Sequence, residues 1–174
     1  MKPVAPPPAW SYWVRPDELL AGEYPGAATP EATRARLLTL ADAGIRCFFD
    51  LTQPGELRAY EEELPRQIEY WRSPIRDHDI PQLKAQMAQI LDRIQDAVRA
   101  QRPVYVHCHA GIGRTGTVAG CWLVEQGLTG DGALEELNRL WQQSARALKW
   151  ARVQVPETRE QAEYVRCWRP RPKP

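Results

Sequence analysis

One stretch limits what this chain can fold into more than any other: residues 104–116, VYVHCHAGIGRTG. Val104, Tyr105 and Val106 are β-branched or aromatic and favour a short strand. A loop follows over Cys108 to Thr115. From Gly116 the run TVAGCWLVEQ places apolar residues at helical spacing. A nucleophile-type residue therefore sits where a strand ends, and a helix begins where the loop closes. The start of such a helix points unpaired N–H groups and positive dipole at whatever the loop encloses. An oxyanion with several oxygens, such as phosphate, is the natural guest.

Each residue type has a job in that arrangement. Helix N-termini and nearby cations lower a thiol pKa from about 8.5 to roughly 3.5–7.5, and the thiolate is the nucleophile. That places Cys108 as nucleophile. Gly111 and Gly113 permit positive φ, so the loop can turn its amides inward. Arg114 offers a planar fork that matches two phosphate oxygens. The Thr115 hydroxyl is placed to hydrogen-bond the sulfur. Five residues separate Cys108 from Arg114, enough to wrap once around a tetrahedral group.

The stretch resembles the signature of the cysteine-dependent protein tyrosine and dual-specificity phosphatases: His-Cys, five residues, Arg, Ser or Thr, then Gly. His107, Cys108, Arg114, Thr115 and Gly116 match it, and Ala110, Gly111 and Gly113 match its commoner version. The resemblance implies an α/β fold with a central mixed, mostly parallel sheet flanked by helices on both faces. It also implies that the loop residues His109, Ala110, Gly111, Ile112, Gly113 and Arg114 hold the substrate phosphate, with His107 in support. No cofactor or metal is implied.

Two other readings of the same residues are weaker. Gly111, Gly113 and Gly116 spell G-x-G-x-x-G, but the dinucleotide fold needs a second strand ending in an acidic residue about 20 positions on. The region GDGALEELNRLWQQ reads as helix instead. His107, Cys108, His109 and Cys121 make a poor metal set, because adjacent ligands in a tight loop do not converge on one ion.

The 174 residues suit one domain, spanning 10–168, between a flexible proline-rich N-terminus (1–9) and a basic proline-rich tail (169–174). Seven prolines in those two ends predict loose segments. A net charge of +1 gives no global argument for nucleic acid or an anionic membrane. Four scattered cysteines form no disulfide framework, and a thiolate enzyme needs a reducing compartment, so a cytoplasmic location is expected. The start of the chain lacks an apolar signal region, and no segment approaches 18 apolar residues. The expectation is a soluble monomer with no nucleic-acid or membrane partner, acting on a phosphorylated protein or small phosphate monoester.

Along the chain, SYWV (11–14) and residues 19–21 read as strands. Thr29 caps a helix that has Pro30 at its first position and ends at Gly44. IRCFFDL (45–51) reads as a buried strand, with Cys47 a core residue. In open α/β sheets the loops at strand carboxyl ends surround the ligand, so residues 53–60 border the pocket, with Glu56, Arg58 and Tyr60 as possible contacts or as ordinary loop. Ile68 to Trp71 is a further strand, and residues 82–101 form an amphipathic helix. Residues 116–126 and 131–142 are helices, residues 145–150 are ambiguous, and a last helix starts near 155. Cys121 is read as core rather than as a resolving thiol, and Cys167 as idle.

The resemblance also supplies the remaining roles. Compact family members carry a general acid in a Pro-Ile-x-Asp-x-x-x-Pro segment; Pro74, Ile75, Asp77 and Pro81 match it, which puts Asp77 first. Asp79 is the alternative acid, or a cap for the following helix, and His78 an exposed neighbour. Gln161 resembles a glutamine that orients the attacking water. Glu157 resembles an acidic position that assists or replaces the aspartate, though Glu157 and Thr158 are also simply good first-turn helix residues. The implied reaction passes through a phosphocysteine. Phosphotyrosine, alone or with phosphoserine and phosphothreonine, is the default substrate. Phosphoinositide phosphatases often carry lysines in the loop, where His109 and Ile112 stand here. RNA 5′-triphosphatase activity draws no support from the charge. A catalytically silent phospho-binding module is the rival from another class.

Overall fold

The strands are short runs of apolar residues whose alternate side chains enter two different cores, the period-two rule of a sheet covered on both faces. The computed structural model describes residues 7–171 and builds one mixed sheet from β1 (Ser11–Arg15), β2 (Leu19–Gly22), β3 (Cys47–Asp50), β4 (Glu69–Arg72) and β5 (Val104–His107). The spatial order is β1-β2-β5-β3-β4, with β1 antiparallel to β2 and all other pairings parallel. Val104 and Val106 of β5, Cys47 and Phe49 of β3, and Leu19 and Ala21 of β2 face one core. Tyr105, Phe48 and Leu20 face the other.

Helix α1 (Pro30–Asp42) covers the second core with Leu37 and Leu40. Thr29 caps it by accepting the Ala32 N–H, with Pro30 in the first turn. The first core lies under α2 (Lys84–Arg99), α3 (Gly113–Glu125), α4 (Gly130–Gln142) and α5 (Arg159–Cys167), which contribute Met87, Ile94, Trp122, Leu137, Trp141 and Val165. Helices thus flank the sheet on both faces. Among the described residues no helix is long and apolar enough to cross a membrane.

Register decides where the site falls. His107 at the end of β5 pairs with Gly22 of β2 and Asp50 of β3, and Asp50 pairs with Arg72 of β4. Four parallel strands therefore end on one line. The segments after them, which carry Glu23, Glu56, Asp77 and Cys108, emerge along the same edge.

Some expectations need correction. Helix α3 starts at Gly113, three residues before the predicted Gly116, and the Gly116 N–H already bonds the Ile112 carbonyl at 2.9 Å. Glycine's poor helix propensity argues for a later start. Packing overrides it, because a Cβ on Gly113 would lie 2.9 Å from the Gln161 side chain. Strand β3 is shorter than 45–51, and α5 starts at Arg159 rather than near 155. The predicted loose tail is held as far as Arg171: its guanidinium pairs with Glu125 at 2.7 Å and Asp92 at 2.9 Å. Proline content carries no record of such anchors. Of the predicted loose N-terminus (1–9), Pro8 is buried and its carbonyl accepts from Ser11 N–H and Oγ, both at 2.9 Å, while residues 1–6 and 172–174 lie outside the described residues.

Candidate active site

Cys108 follows the last residue of β5 and is 3% exposed. The loop after it is shaped by donors that hold its carbonyls outward. The Cys108 carbonyl accepts from His107 Nδ1 at 3.1 Å, the His109 carbonyl from the Tyr24 N–H at 2.9 Å, and the Ile112 carbonyl from the Gly116 N–H. In a planar trans peptide the next N–H points opposite to the carbonyl. The amides of His109, Ala110 and Gly113 therefore turn away from these anchors. Among the described residues, none of the amides of residues 109–112 donates a hydrogen bond. Gly111 adopts φ +70°, and a Cβ there would meet the Gly22 carbonyl carbon at 2.2 Å. Only glycine fits.

His107 is fully buried, and burial holds its imidazole below the ordinary histidine range. A carbonyl can only accept, so Nδ1 carries the proton and Nε2 accepts from the Tyr60 hydroxyl. A neutral histidine thereby fixes the peptide at the base of the loop. Tyr60, read as a possible substrate contact, is instead buried in the second core; the run Glu61-Glu62-Glu63 directly after it hid this. Arg58 is exposed and pairs with Glu63. Asp50 accepts from Thr52, Tyr70 and Arg72. Burial pushes its carboxyl upward, but the His107 ring and these bonds outweigh that and hold it below the usual range.

Arg114 and Thr115 lie in the first turn of α3. The Arg114 guanidinium is buried; its Nη1 and Nη2 take both oxygens of Glu56 at 2.8 and 2.6 Å, and Nη1 also donates to the Ile75 carbonyl. These bonds hold the Glu56 carboxyl below its ordinary range. Asp77 Oδ1 pairs with Nη2 at 2.8 Å, while the buried Nε has no hydrogen-bond partner. The inner edge of the fork is thus committed to Glu56. On the outer Nε/Nη2 edge, Asp77 is the one further contact among the described residues. The expected bond from Thr115 to the sulfur is not formed. Helix α3 sets its backbone, and among the described residues the buried Oγ1 has no partner. An unsatisfied buried hydroxyl costs about 1–3 kcal/mol, and such groups in a native fold call for a functional explanation.

Asp77 is half exposed and lies beside the His78 ring, whose other nitrogen is 3.5 Å from Glu157. His78 takes φ +59°, the left-handed region that non-glycine residues seldom occupy. Asp77 and Glu157 thus flank one imidazole at the mouth. Asp79 does not cap α2, which has Leu83 at its N-cap and no side-chain cap; its carboxylate folds back on Ile80 N–H and Gln82. Gln161 is buried. Its Oε1 accepts from the Thr158 N–H in a capping box and its Nε2 donates to the Asp79 carbonyl at 3.1 Å. One Nε2 hydrogen and one Oε1 lone pair remain. Cys121 and Cys47 are core residues whose thiols burial pushes up, Cys47 to about 11. Cys167 contacts Glu163.

A thiol followed by a loop whose amides over residues 109–112 donate no hydrogen bond among the described residues, closed by a buried arginine at the carboxyl edge of this sheet, defines the class of cysteine-dependent tyrosine and dual-specificity phosphatases. Within that class, residues 23–128 match the family described as "Tc-R-P: Polymorphic toxin system, DSP-PTPase phosphatase". The match covers more than half of the chain, and the chain belongs to this family. It is 31% identical over 112 residues to a putative tyrosine phosphatase of Invertebrate iridescent virus 3, covering 62% of this chain and 42% of that one. It is 32% identical over 131 residues to the mouse protein tyrosine phosphatase domain-containing protein 1, covering 66% and 17%. The chain thus spans less than half the length of these relatives. Among solved structures, Tk-PTP in its active form superposes with a TM-score of 0.70 at 25% identity, covering 95% of each chain. Kinase-associated phosphatase shares the fold at a TM-score of 0.67 and 21% identity, over 84% of this chain and 83% of that one.

Proposed function

We propose that this phosphatase hydrolyses phosphate monoesters through a phosphocysteine on Cys108, with phosphotyrosine in proteins as the first substrate class and phosphoserine or phosphothreonine as a second. The observation that carries the reading is the buried Arg114 fork, pinned by Glu56, together with a Cys108 loop whose amides over residues 109–112 donate no hydrogen bond among the described residues. In the first step the Cys108 thiolate attacks phosphorus and the bond to the leaving oxygen breaks. The amides of residues 109–113 and the Arg114 outer edge hold the three remaining oxygens, which supplies the electrostatic stabilisation of phosphoryl transfer.

Asp77 protonates the leaving oxygen. A phosphate oxygen on the outer edge replaces Asp77 on Nη2, and a carboxyl group beside a phosphate dianion gains by carrying a proton. In the second step Asp77 takes a proton from water, the water oxygen attacks phosphorus, the S–P bond breaks and the thiolate returns. The remaining donor and acceptor of Gln161 are available to orient that water. Glu157, across His78, is the alternative acid. The tyrosine phosphatase names of the curated relatives support the substrate class, and the absence of lysine from the loop disfavours inositol polyphosphates.

The test is a panel of phosphopeptides, inositol phosphates and an aryl phosphate, with reduced, EDTA-treated protein. Phosphotyrosine peptide should be cleaved fastest. No hydrolysis of any substrate, with phosphopeptide still bound, would replace the enzyme by a binding module.

A further inference from the structure

One carbonyl of the loop is held by a residue outside every motif. The Ala110 carbonyl accepts a hydrogen bond at 2.7 Å from Nη2 of Arg146. Arg146 belongs to the 3-10 turn Ala145–Leu148, between α4 and α5, and its side chain is buried. Its Nη1 reaches the Trp10 carbonyl at 3.3 Å and the Glu23 carboxylate, and its Cζ lies 5.4 Å from the Trp141 ring. Glu23 is held in turn by Arg36 at 2.9 Å. One rigid fork therefore spans the edge of β1, the segment after β2 and the loop below Cys108.

The peptide joining Ala110 to Gly111 most needs such an anchor. Rotating a peptide plane changes ψ of the residue before it and φ of the residue after it. With glycine at 111 the second change meets little steric resistance. The His107 ring already holds the plane that follows Cys108, and backbone N–H groups hold those that follow His109 and Ile112. Among the described residues, the plane after Ala110 is held by Arg146 alone.

We infer that Arg146 is a positioning residue for oxyanion binding: by holding the Ala110 carbonyl outward it presents the Gly111 N–H to the phosphate. This rests on the functional reading above. A plain structural staple would tie the α4–α5 segment to β1 and β2, and its loss would lower stability and leave anion affinity intact. A positioning residue changes anion affinity in protein that remains folded.

The experiment measures vanadate affinity by calorimetry, aryl phosphate kinetics and thermal unfolding for wild type, Arg146→Met and Arg146→Lys. Loss of one charge-assisted bond predicts vanadate binding and kcat/KM about 10- to 100-fold weaker in folded Arg146→Met. Arg146→Lys should fall between, because a single ammonium does not span Ala110 and Glu23 together. Wild-type vanadate affinity in folded Arg146→Met overturns the inference. If that variant does not fold, Arg146→Lys decides: weaker vanadate binding supports the inference and unchanged binding overturns it. Wild-type protein that binds no vanadate sinks the functional reading and this inference together, whereas variants that bind like wild type sink the inference alone.

Discussion

Replacing Glu56 by Gln tests how the arginine fork is aimed. Glu56 gives Arg114 two bonds at 2.8 and 2.6 Å, both to a guanidinium that water hardly reaches. Glutamine keeps one acceptor oxygen and turns the other into a donor that faces an N–H. One charge-assisted bond is lost, worth about 1.5–3 kcal/mol, and Arg114 keeps Asp77 and the Ile75 carbonyl. If the loss is felt as disorder of the fork during phosphoryl transfer, kcat/KM falls about tenfold to a hundredfold. If it is felt in the ground state, a similar energy leaves the urea unfolding free energy. Steady-state assay of an aryl phosphate and equilibrium urea unfolding on the same preparations read both. A Glu56→Gln protein with wild-type kcat/KM and wild-type stability would refute the idea that the carboxylate aims Arg114.

Other outcomes follow from the same contacts. Asp77→Asn should lower the turnover of a substrate with a poor leaving group by about 10²–10⁴, the usual value of general acid catalysis, and flatten the alkaline limb of the pH–rate profile, where an acid that must be protonated loses its proton; an unchanged rate, with a collapse in Glu157→Gln, would move the acid to Glu157. Gly111→Ala should weaken vanadate binding at least tenfold in titration, because a Cβ 2.2 Å from the Gly22 backbone forces the loop to shift; unchanged binding would show the loop adapts freely. Stability should fall in acid. Glu56 and Asp50 are held below their unfolded values of about 4, so their contribution is full above pH of about 4 and lost as pH drops through the folded values. His107 is also held below its unfolded value of about 6.5, so the unfolded chain takes up its proton first and stability declines below that pH. Thermal unfolding from pH 8 to pH 3 reads both windows, and a flat profile would contradict the pairing.

Much of this was legible because local chemistry and tertiary role coincide in the 104–116 stretch. Alternating Val104, Tyr105 and Val106 both favour a strand and feed two cores, so pattern and packing agree. Thr29-Pro30 predicts the start of α1 for a reason confined to one turn. The errors fall where a residue acts through distant partners. Tyr60 is followed directly by Glu61-Glu62-Glu63, yet its hydroxyl serves His107, 47 positions away. Gly113 is a poor helix former, yet it opens α3 with the Gln161 side chain packed 2.9 Å from where a Cβ would stand. Glu56 was placed at the rim by the sheet rule, but no spacing tells that it grips Arg114. Arg146 sits in a stretch with no periodicity at all, and only the folded chain brings it under Ala110.

The most direct measurement is a rapid acid quench of wild-type protein during turnover of a phosphotyrosine peptide, followed by mass spectrometry of the proteolytic fragments. The account predicts a transient phosphoryl group on the fragment containing Cys108, absent in Cys108→Ser. Turnover with no phosphoryl group on that fragment, or hydrolysis by Cys108→Ser at the wild-type rate, would contradict it.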